Sequence, residues 1–402
     1  LTQAGFSLLS SKAKSFEVTS TPGGALEVDH PCKICPEIMS DFAKLTGLSP
    51  SVEAPQRYLW TDAFAVCNYL ELHAKTEEEK YKHLALRLVD QVHSTLGRHR
   101  TDDPRRGWIS GLTEEEGRRH PTAGGLRIGK TMRERNPGEP YDEHLEWDRD
   151  GQYYHYLTKW MQALDLVSRF TGDPVYIRWA IELAKTAHDR FTFVSAGRKR
   201  MYWKMSIDLS YPLVPSMGQH DPLDGFITYT QIQATAKKYA DSPSPDLYGE
   251  IADMKEMCKE RSWATDDPLG IGGLLSDAYR LQHLIVHEGV EQTGLVEELL
   301  DFSLAGLEAY QGSGSLRHPA RYRLAFRELG LAIGLHAVER LRNLTGNSPA
   351  RKALMSYVPL AETIESFWLE AENRHADSWT EHREINMVML ATSLAPDGYL
   401  SL

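Results

Sequence analysis

Residues 151–170 carry Tyr153, Tyr154, Tyr156, Leu157, Trp160, Met161, Leu164, Leu166, Val167 and Phe170, which at helical periodicity surround the axis on every side. A helix that is apolar all round has to be enclosed by other helices. The next segment, 174–193, is one-sided. Tyr176, Ala180, Leu183 and Ala187 share a face with Ile177, Ala184 and Phe191 beside them, while Arg178, Glu182, Lys185 and Asp189 take the solvent side. The contrast recurs along the chain. Segments near 60–73, 222–238, 272–288, 320–343 and 381–395 read as enclosed helices, and those near 36–46, 78–98, 247–262, 295–310 and 349–370 as amphipathic ones. Together they make about twelve helices that alternate in kind.

The connections alternate too. Enclosed-to-amphipathic turns are short: "TGDP" at 171–174, "DSPSP" at 241–245, "QTG" at 292–294 and "TGNSP" at 345–349. A glycine after a helix suits a left-handed cap, and a proline soon after prevents continuation. Return connections are longer, above all 99–147 and 194–221, where "MYWKMSID" has strand character. Tight turns at one end and long excursions at the other imply one decorated rim, and long loops in a compact domain usually carry function. The expected fold is all-α: a single (α/α)6 toroid domain over 1–402, closed when the first amphipathic helix covers the last enclosed one. Residues 1–35 are expected as an N-terminal extension, and 100–147 as a long rim loop or lid.

Composition excludes several classes. Lys and Arg total 45 against 56 Asp and Glu, a formal charge of −11, which leaves no basic footprint for nucleic acid. No apolar run approaches the length needed to span a bilayer, so a soluble, cytoplasmic protein is expected. The four cysteines include one CxxC, Cys32 and Cys35, with no second pair to complete a zinc site. No metal and no cofactor is expected. The sequon Asn343-Leu344-Thr345 decides nothing. "GGLRIGK" lacks the P-loop spacing. Arg105, Arg106, Arg118, Arg119, Arg127 and Lys130 in the same long loop read first as solvated charge, with "EEEGRRH" balancing itself.

In a toroid the long loops deliver the chain to the N-termini of the inner helices, where free N–H groups and the positive dipole end gather. Those starts are "YLWTDAF" (Trp60, Asp62), "EWDRDGQ" (Asp148, Asp150), "GQHDPLDG" (His220, Asp221, Asp224), "TDDPLGIGG" (Asp266, Asp267), "LRHPARYR" (Arg317, His318, Arg321) and "SWTEHREIN" (Trp379, Glu381, His382, Asn386). Capping is the simpler reading of any single acid among them. Capping does not require the histidines, arginines and aromatics (Trp60, Trp147, Tyr153, Tyr154, Trp203, Trp379) gathered at the same places. Acids and imidazoles ringed by flat apolar faces suit a polyhydroxylated ring, although the aromatics are equally read as core.

The pattern resembles the six-hairpin glycosidase superfamily, whose relatives include the unsaturated glucuronyl hydrolases and the N-acylglucosamine 2-epimerases. "TGDPVYIRWAIELAKTA" is similar to the hairpin signature of these toroids, and "SWTEHREINMVMLATSLA" to the aromatic-plus-histidine helix start of the epimerase group. The resemblance implies the toroid fold and a small-molecule substrate, a saccharide. The leading expectation is hydrolysis of a glycosidic bond by paired carboxylates. Asp148 or Asp150 is expected as general acid, Asp148 ahead because Asp150 is the better cap, with Asp221 beside His220 in the opposite role. An epimerase or isomerase would instead use two histidines, His220 and His382, with His318 in reserve. A polysaccharide lyase would use Arg321, Asn386 and Tyr154. Trp60, Asp62, Tyr154, Trp203, Asp224, His318, Arg321, Trp379, Glu381 and Asn386 complete the expected substrate contacts. A terpene-cyclase-like toroid lacks its DxDD run, and a non-catalytic binding protein remains a further alternative.

Overall fold

The computed structural model describes residues 30–239, 245–259, 261–342, 344 and 348–401. Most of the expected N-terminal extension, most of the "DSPSP" turn, two sequon residues (Asn343 and Thr345) and the side chain of Cys32 lie outside the described residues. Among the described residues, the helices of eleven or more residues number twelve. They are α1 (His30–Leu45), α2 (Leu59–Thr76), α3 (Glu79–Leu96), α4 (Tyr154–Thr171), α5 (Pro174–Phe191) and α6 (Asp221–Lys237). Then come α7 (Tyr248–Cys258), α8 (Pro268–Glu288), α9 (Thr293–Gly312), α10 (Ala325–Leu341), α11 (Pro359–Leu369) and α12 (Arg383–Leu394).

The even-numbered helices form an inner ring. Each packs on the next, and α12 packs back on α2. The odd-numbered helices form the outer layer, α3 on α2, α5 on α4 and so on, with α1 covering α12. The two kinds of periodicity have this cause. Every residue of α6 from Asp221 to Tyr229 is buried, whereas α7 buries only Met254 and Met257. At the closing seam, Asn68 of α2 donates to the Val388 carbonyl (3.1 Å) and accepts from the Thr392 hydroxyl (2.9 Å), both on α12. Buried polar groups facing apolar neighbours would lose their water partners without replacement, so this pair also fixes the register of closure.

The short turns follow the sequence chemistry. Gly172 caps α4 at φ 73°, and the Asp173 carboxylate accepts from Val175 N–H (2.9 Å) with Pro174 opening α5. Two inner helices start later than the sequence pattern suggests, at Ala325 and Arg383. Asn386 explains the second: its Oδ1 accepts from Phe326 N–H (2.9 Å) and its Nδ2 donates to the Trp379 carbonyl (3.0 Å), holding 377–382 as a separate turn against α10.

Long connections crown the N-terminal ends of the inner helices. A three-stranded antiparallel patch joins Gln152–Tyr153, Lys204–Met205 and Pro212–Val214, and a hairpin pairs Thr192–Ser195 with Arg198–Met201. The 97–153 connection is fastened rather than loose. Arg105 reaches Asp103 (2.7 Å), Glu134 (2.5 Å) and Asp208 (2.8 Å), and Arg118 and Arg119 pair with Glu114 and Glu115. Among the described residues no helix is long and apolar enough to cross a membrane.

The ring is tightest where α8 meets α10. A Cβ added to Gly272 would lie 2.0 Å from the Gly330 carbonyl oxygen, and one added to Gly334 would lie 2.6 Å from the Gly272 Cα. Backbone on both sides leaves nothing flexible to move. Gly272→Ala is therefore expected to lower the unfolding free energy by about 1–3 kcal/mol or more in denaturant titration. An unchanged transition midpoint would mean that the two helices are not held at this separation.

Candidate active site

A cavity of about 390 Å³ opens at the N-terminal end of the ring, and all six inner helices contribute to its wall. α2 brings Trp60 and Phe64, α4 His155 and Lys159, α6 Asp221 and Asp224, and α8 Asp277; Arg327 and Met389 come from α10 and α12. A wider groove of about 730 Å³ lies on the outer face between α1 and α3, but its lining mixes Glu37 and Asp41 with Lys44, Lys80 and Arg87, and Asp41 pairs with Lys44 (3.0 Å) in the open. The central cavity instead gathers acids, imidazoles and a lysine from several inner helices.

Lys159 and Asp224 form its electrostatic core, Nζ to Oδ1 at 3.0 Å with both side chains largely buried. Burial opposes the charge of Asp224, but Lys159, with His155 and Arg280 assisting, overrides it and holds the carboxyl below its ordinary value. Burial likewise opposes the charge of Lys159, and Asp224 outweighs it to raise the ammonium pKa. The neighbours respond in the opposite sense. Asp221 is pushed well above its ordinary value, first by burial and then by the negative charge of Asp224. Its Oδ2 has no hydrogen-bond partner among the described residues, and its Oδ1 lies 3.7 Å from His155 Nδ1. Burial and Asp224 also push Asp277 up to about 6, although Arg280 stands 3.3 Å away.

Both imidazoles on the cavity are held neutral. Burial lowers His155 to about 4 and also lowers His220, whose Nε2 is buried without a partner. Aromatic rings wall the remainder: Phe64 stacks on Tyr399 with ring centres 4.5 Å apart, Trp60 tilts against Phe64 at 4.7 Å, and Trp203 lies parallel to His155 at 6.3 Å. Asp267 caps α8, accepting from Leu269 N–H (2.8 Å) through Oδ1, and its other oxygen pairs with Arg327. Among the described residues no three His, Cys, Asp or Glu side chains are grouped to hold a metal ion.

Of the residues singled out in the sequence, Trp60, Trp203, His220, Asp221 and Asp224 line this cavity. Others lie elsewhere. Asp148 is exposed, at the end of the short helix Glu143–Asp148. Asp150 is fully buried away from the cavity, taking Arg127 (2.9 Å) and Arg100 (3.3 Å) on Oδ2 and the Gly129 N–H (2.9 Å) on Oδ1. His382, Glu381 and Asp62 border a separate hollow of about 140 Å³, where Asp62 pairs with Arg57 (3.4 Å) and takes the Tyr58 N–H (3.0 Å). Thus Asp148, Asp221 and His382 do not surround one void. Tyr154 is buried, its hydroxyl donating to that of Tyr229 (2.9 Å), and Trp379 stacks on Trp368 at 5.7 Å. His318 and Arg321 are exposed.

The sequence reading did not single out His155, Lys159, Asp277 or Arg280. A signal existed: His155 and Lys159 are four apart, and Asp277 and Arg280 three apart, which places each pair on one face of a helix otherwise apolar all round.

These features define the (α/α)6 toroid fold. The chain is similar to an α-mannanase of Bacteroides thetaiotaomicron, at 10% identity and a TM-score of 0.54 over 92% of this chain and 96% of that one. It also matches the cellobiose 2-epimerase of Spirochaeta thermophila at 12% identity over 90% of this chain and 98% of that one, with a TM-score of 0.49, too low to carry an argument. Identities this low bear on the fold alone. No protein-family model matches the sequence, and no curated protein matches it significantly.

The placement of Asp150 has a measurable consequence. Replacing it by Asn leaves Arg127 and Arg100 without their buried counter-charge. Asp150→Asn should lower the unfolding free energy by about 3 kcal/mol in denaturant titration. A loss below about 0.5 kcal/mol, the range of ordinary surface substitutions, would show that the rim is fastened by other contacts.

Proposed function

We propose that this protein is a carbohydrate-active enzyme that hydrolyses a glycosidic bond in the central cavity, with Asp221 as general acid. The observation that carries the reading is a carboxyl buried on the cavity wall, its pKa pushed well above the ordinary value by burial and then by the negative charge of Asp224, with one oxygen that has no hydrogen-bond partner among the described residues. Glycosidic cleavage needs a proton delivered to the leaving oxygen, and a carboxyl with a raised pKa carries one at neutral pH. The second acid role falls to Asp277. At about 6 its pKa suits a base that activates water near neutrality. Asp224, held ionised by Lys159, is a poor base for the same reason, and serves instead as fixed negative charge against the developing oxocarbenium ion. Trp60, Phe64 and Trp203 supply flat apolar faces for the sugar ring. The fold shared with an α-mannanase is consistent with a saccharide substrate.

A second reading has one specific observation behind it. His155 and His220 are both neutral and both on the cavity, as a proton exchange between two imidazoles at a sugar carbon would require. Incubation with oligosaccharides in deuterated water separates the two: chain cleavage without deuterium on carbon supports hydrolysis, and deuterium on carbon without cleavage supports epimerisation. The residues considered for a lyase, Arg321, Asn386 and Tyr154, do not line the cavity.

The pH profile follows from the two carboxyls. Asp277 must be ionised, so kcat/KM should rise with pH through about 6, and Asp221 must be protonated, so it should fall again on the alkaline side. Asp221→Asn should reduce kcat by about 10²–10⁴-fold with KM changed little, and should remove the alkaline limb. A variant that keeps the wild-type kcat, or one that keeps the alkaline limb, would exclude Asp221 as the acid.

A further inference from the structure

The short helix Glu143–Asp148 carries a surface anomaly. Trp147 is 48% exposed, the largest side chain among the exposed hydrophobic residues described. A large apolar ring held in solvent next to a cavity marks a surface that a ligand or partner can cover. This one is continuous with the cavity: Trp147 meets Trp203 edge to face, ring centres 5.0 Å apart at 75°, and Trp203 lines the cavity in parallel with His155. Only one ring therefore separates the exposed indole from the cavity wall.

The platform is also rigid. Buried Lys204 donates to the main-chain oxygens of both Glu146 and Arg149, clamping the backbone on either side of Trp147. Glu146 is buried and accepts from Arg135 Nε (2.6 Å), and Arg135 in turn donates to the Leu213 carbonyl (3.0 Å). Three charged side chains, Lys204, Glu146 and Arg135, thus hold the backbone that presents a half-exposed indole to water. Keeping so large an apolar ring exposed on a fixed support has no benefit to folding, since the hydrophobic effect favours covering it.

The geometry points to Trp147 as a distal saccharide subsite, which stacks a sugar ring outside the cavity and makes the substrate an extended oligo- or polysaccharide chain. This rests on the hydrolase reading for the reaction, though not for the binding. A ring seated between Trp60 and Trp203 would be the reacting end, and a ring further along the same chain would meet the Trp147 face. Such a face is sequence-tolerant but length-sensitive, because only chains long enough to leave the cavity reach it.

The test is calorimetric binding of the full-length protein, wild type and Trp147→Ala, to manno-, gluco-, galacto- and N-acetylglucosamine-based oligosaccharides of two to six units. Trp147→Phe, which keeps a flat face, serves as the control. The expected result is that at least one series binds more tightly as the chain lengthens. Trp147→Ala should then lose roughly tenfold on the longest members and little on the disaccharide, with Trp147→Phe restoring most of the loss. Failure of every series to bind, affinity independent of length, or an equal loss at all lengths would overturn it. So would sedimentation showing that Trp147→Ala dissociates a wild-type dimer while length dependence persists, because a second copy would then be the occupant. Cleavage of the bound series is read separately. Length-dependent binding without cleavage retains the subsite and removes the hydrolase, whereas cleavage with no dependence on Trp147 does the reverse.

Discussion

Lys159 on α4 and Asp224 on α6 meet at 3.0 Å inside the ring, where either charge alone would be costly. Each needs the other, so the pair ties two neighbouring inner helices together and fixes one negative charge at the cavity wall. That charge dictates what happens around it. Asp221, three residues earlier on the same helix, and Asp277 on α8 both feel it and resist ionisation. A helix N-terminus favours the anion, and Asp221 opens α6, so the dipole works toward its ionisation. Burial and the nearby Asp224 outweigh it. Burial and one ion pair together thereby push three neighbouring carboxyls apart: Asp224 below its ordinary value, Asp221 well above it and Asp277 up to about 6.

Ring closure makes this possible. Six helix starts, far apart in sequence, converge only because α12 returns to α2. The flanks of the enclosed helices offer no water to a charge, so charge there is paired or hydrogen-bonded, as Asp165 is by Arg169 and Gln231, and the open end gathers the rest, where water, side chains and the long connections can satisfy it. The crown in turn does two jobs with different residues. Asp150, Arg127, Arg105, Glu134 and Lys204 fasten the crown, whereas Trp203 and Trp147 face outward from it toward the cavity mouth and solvent.

The architecture was legible because it is a property of averages. Whether a helix is apolar on one side or on all sides depends on ten or more residues at once, and a single polar exception changes nothing. The positions of inner and outer helices, their alternation and the decorated rim could all be read that way. The lining of the central cavity was legible only in part. "GQHDPLDG" pointed to His220, Asp221 and Asp224, which line it, because a histidine and two acids exceed what one cap requires. The acids of "EWDRDGQ" lie off the cavity for a physical reason: Asp150 has an acid's usual signature at a helix start, but its partners Arg100 and Arg127 come from a loop whose path no periodicity encodes. Asn386 and Tyr154 look chemical in sequence and are fasteners in space. His155, Lys159 and Asp277 carried the converse signal, a charge inside an otherwise apolar helix, which is costly unless something nearby needs it.

The central claim is that burial, reinforced by the negative charge of Asp224, keeps a proton on Asp221 at neutral pH. Isotope-edited infrared difference spectroscopy of the wild type against Asp221→Asn reads that proton directly, since a protonated carboxyl and a carboxylate absorb in separate regions. The account requires the difference spectrum at neutral pH to show loss of a protonated-carboxyl band. Loss of a carboxylate band in its place would mean that Asp221 is ionised there, and the division of labour among the three acids would be refuted.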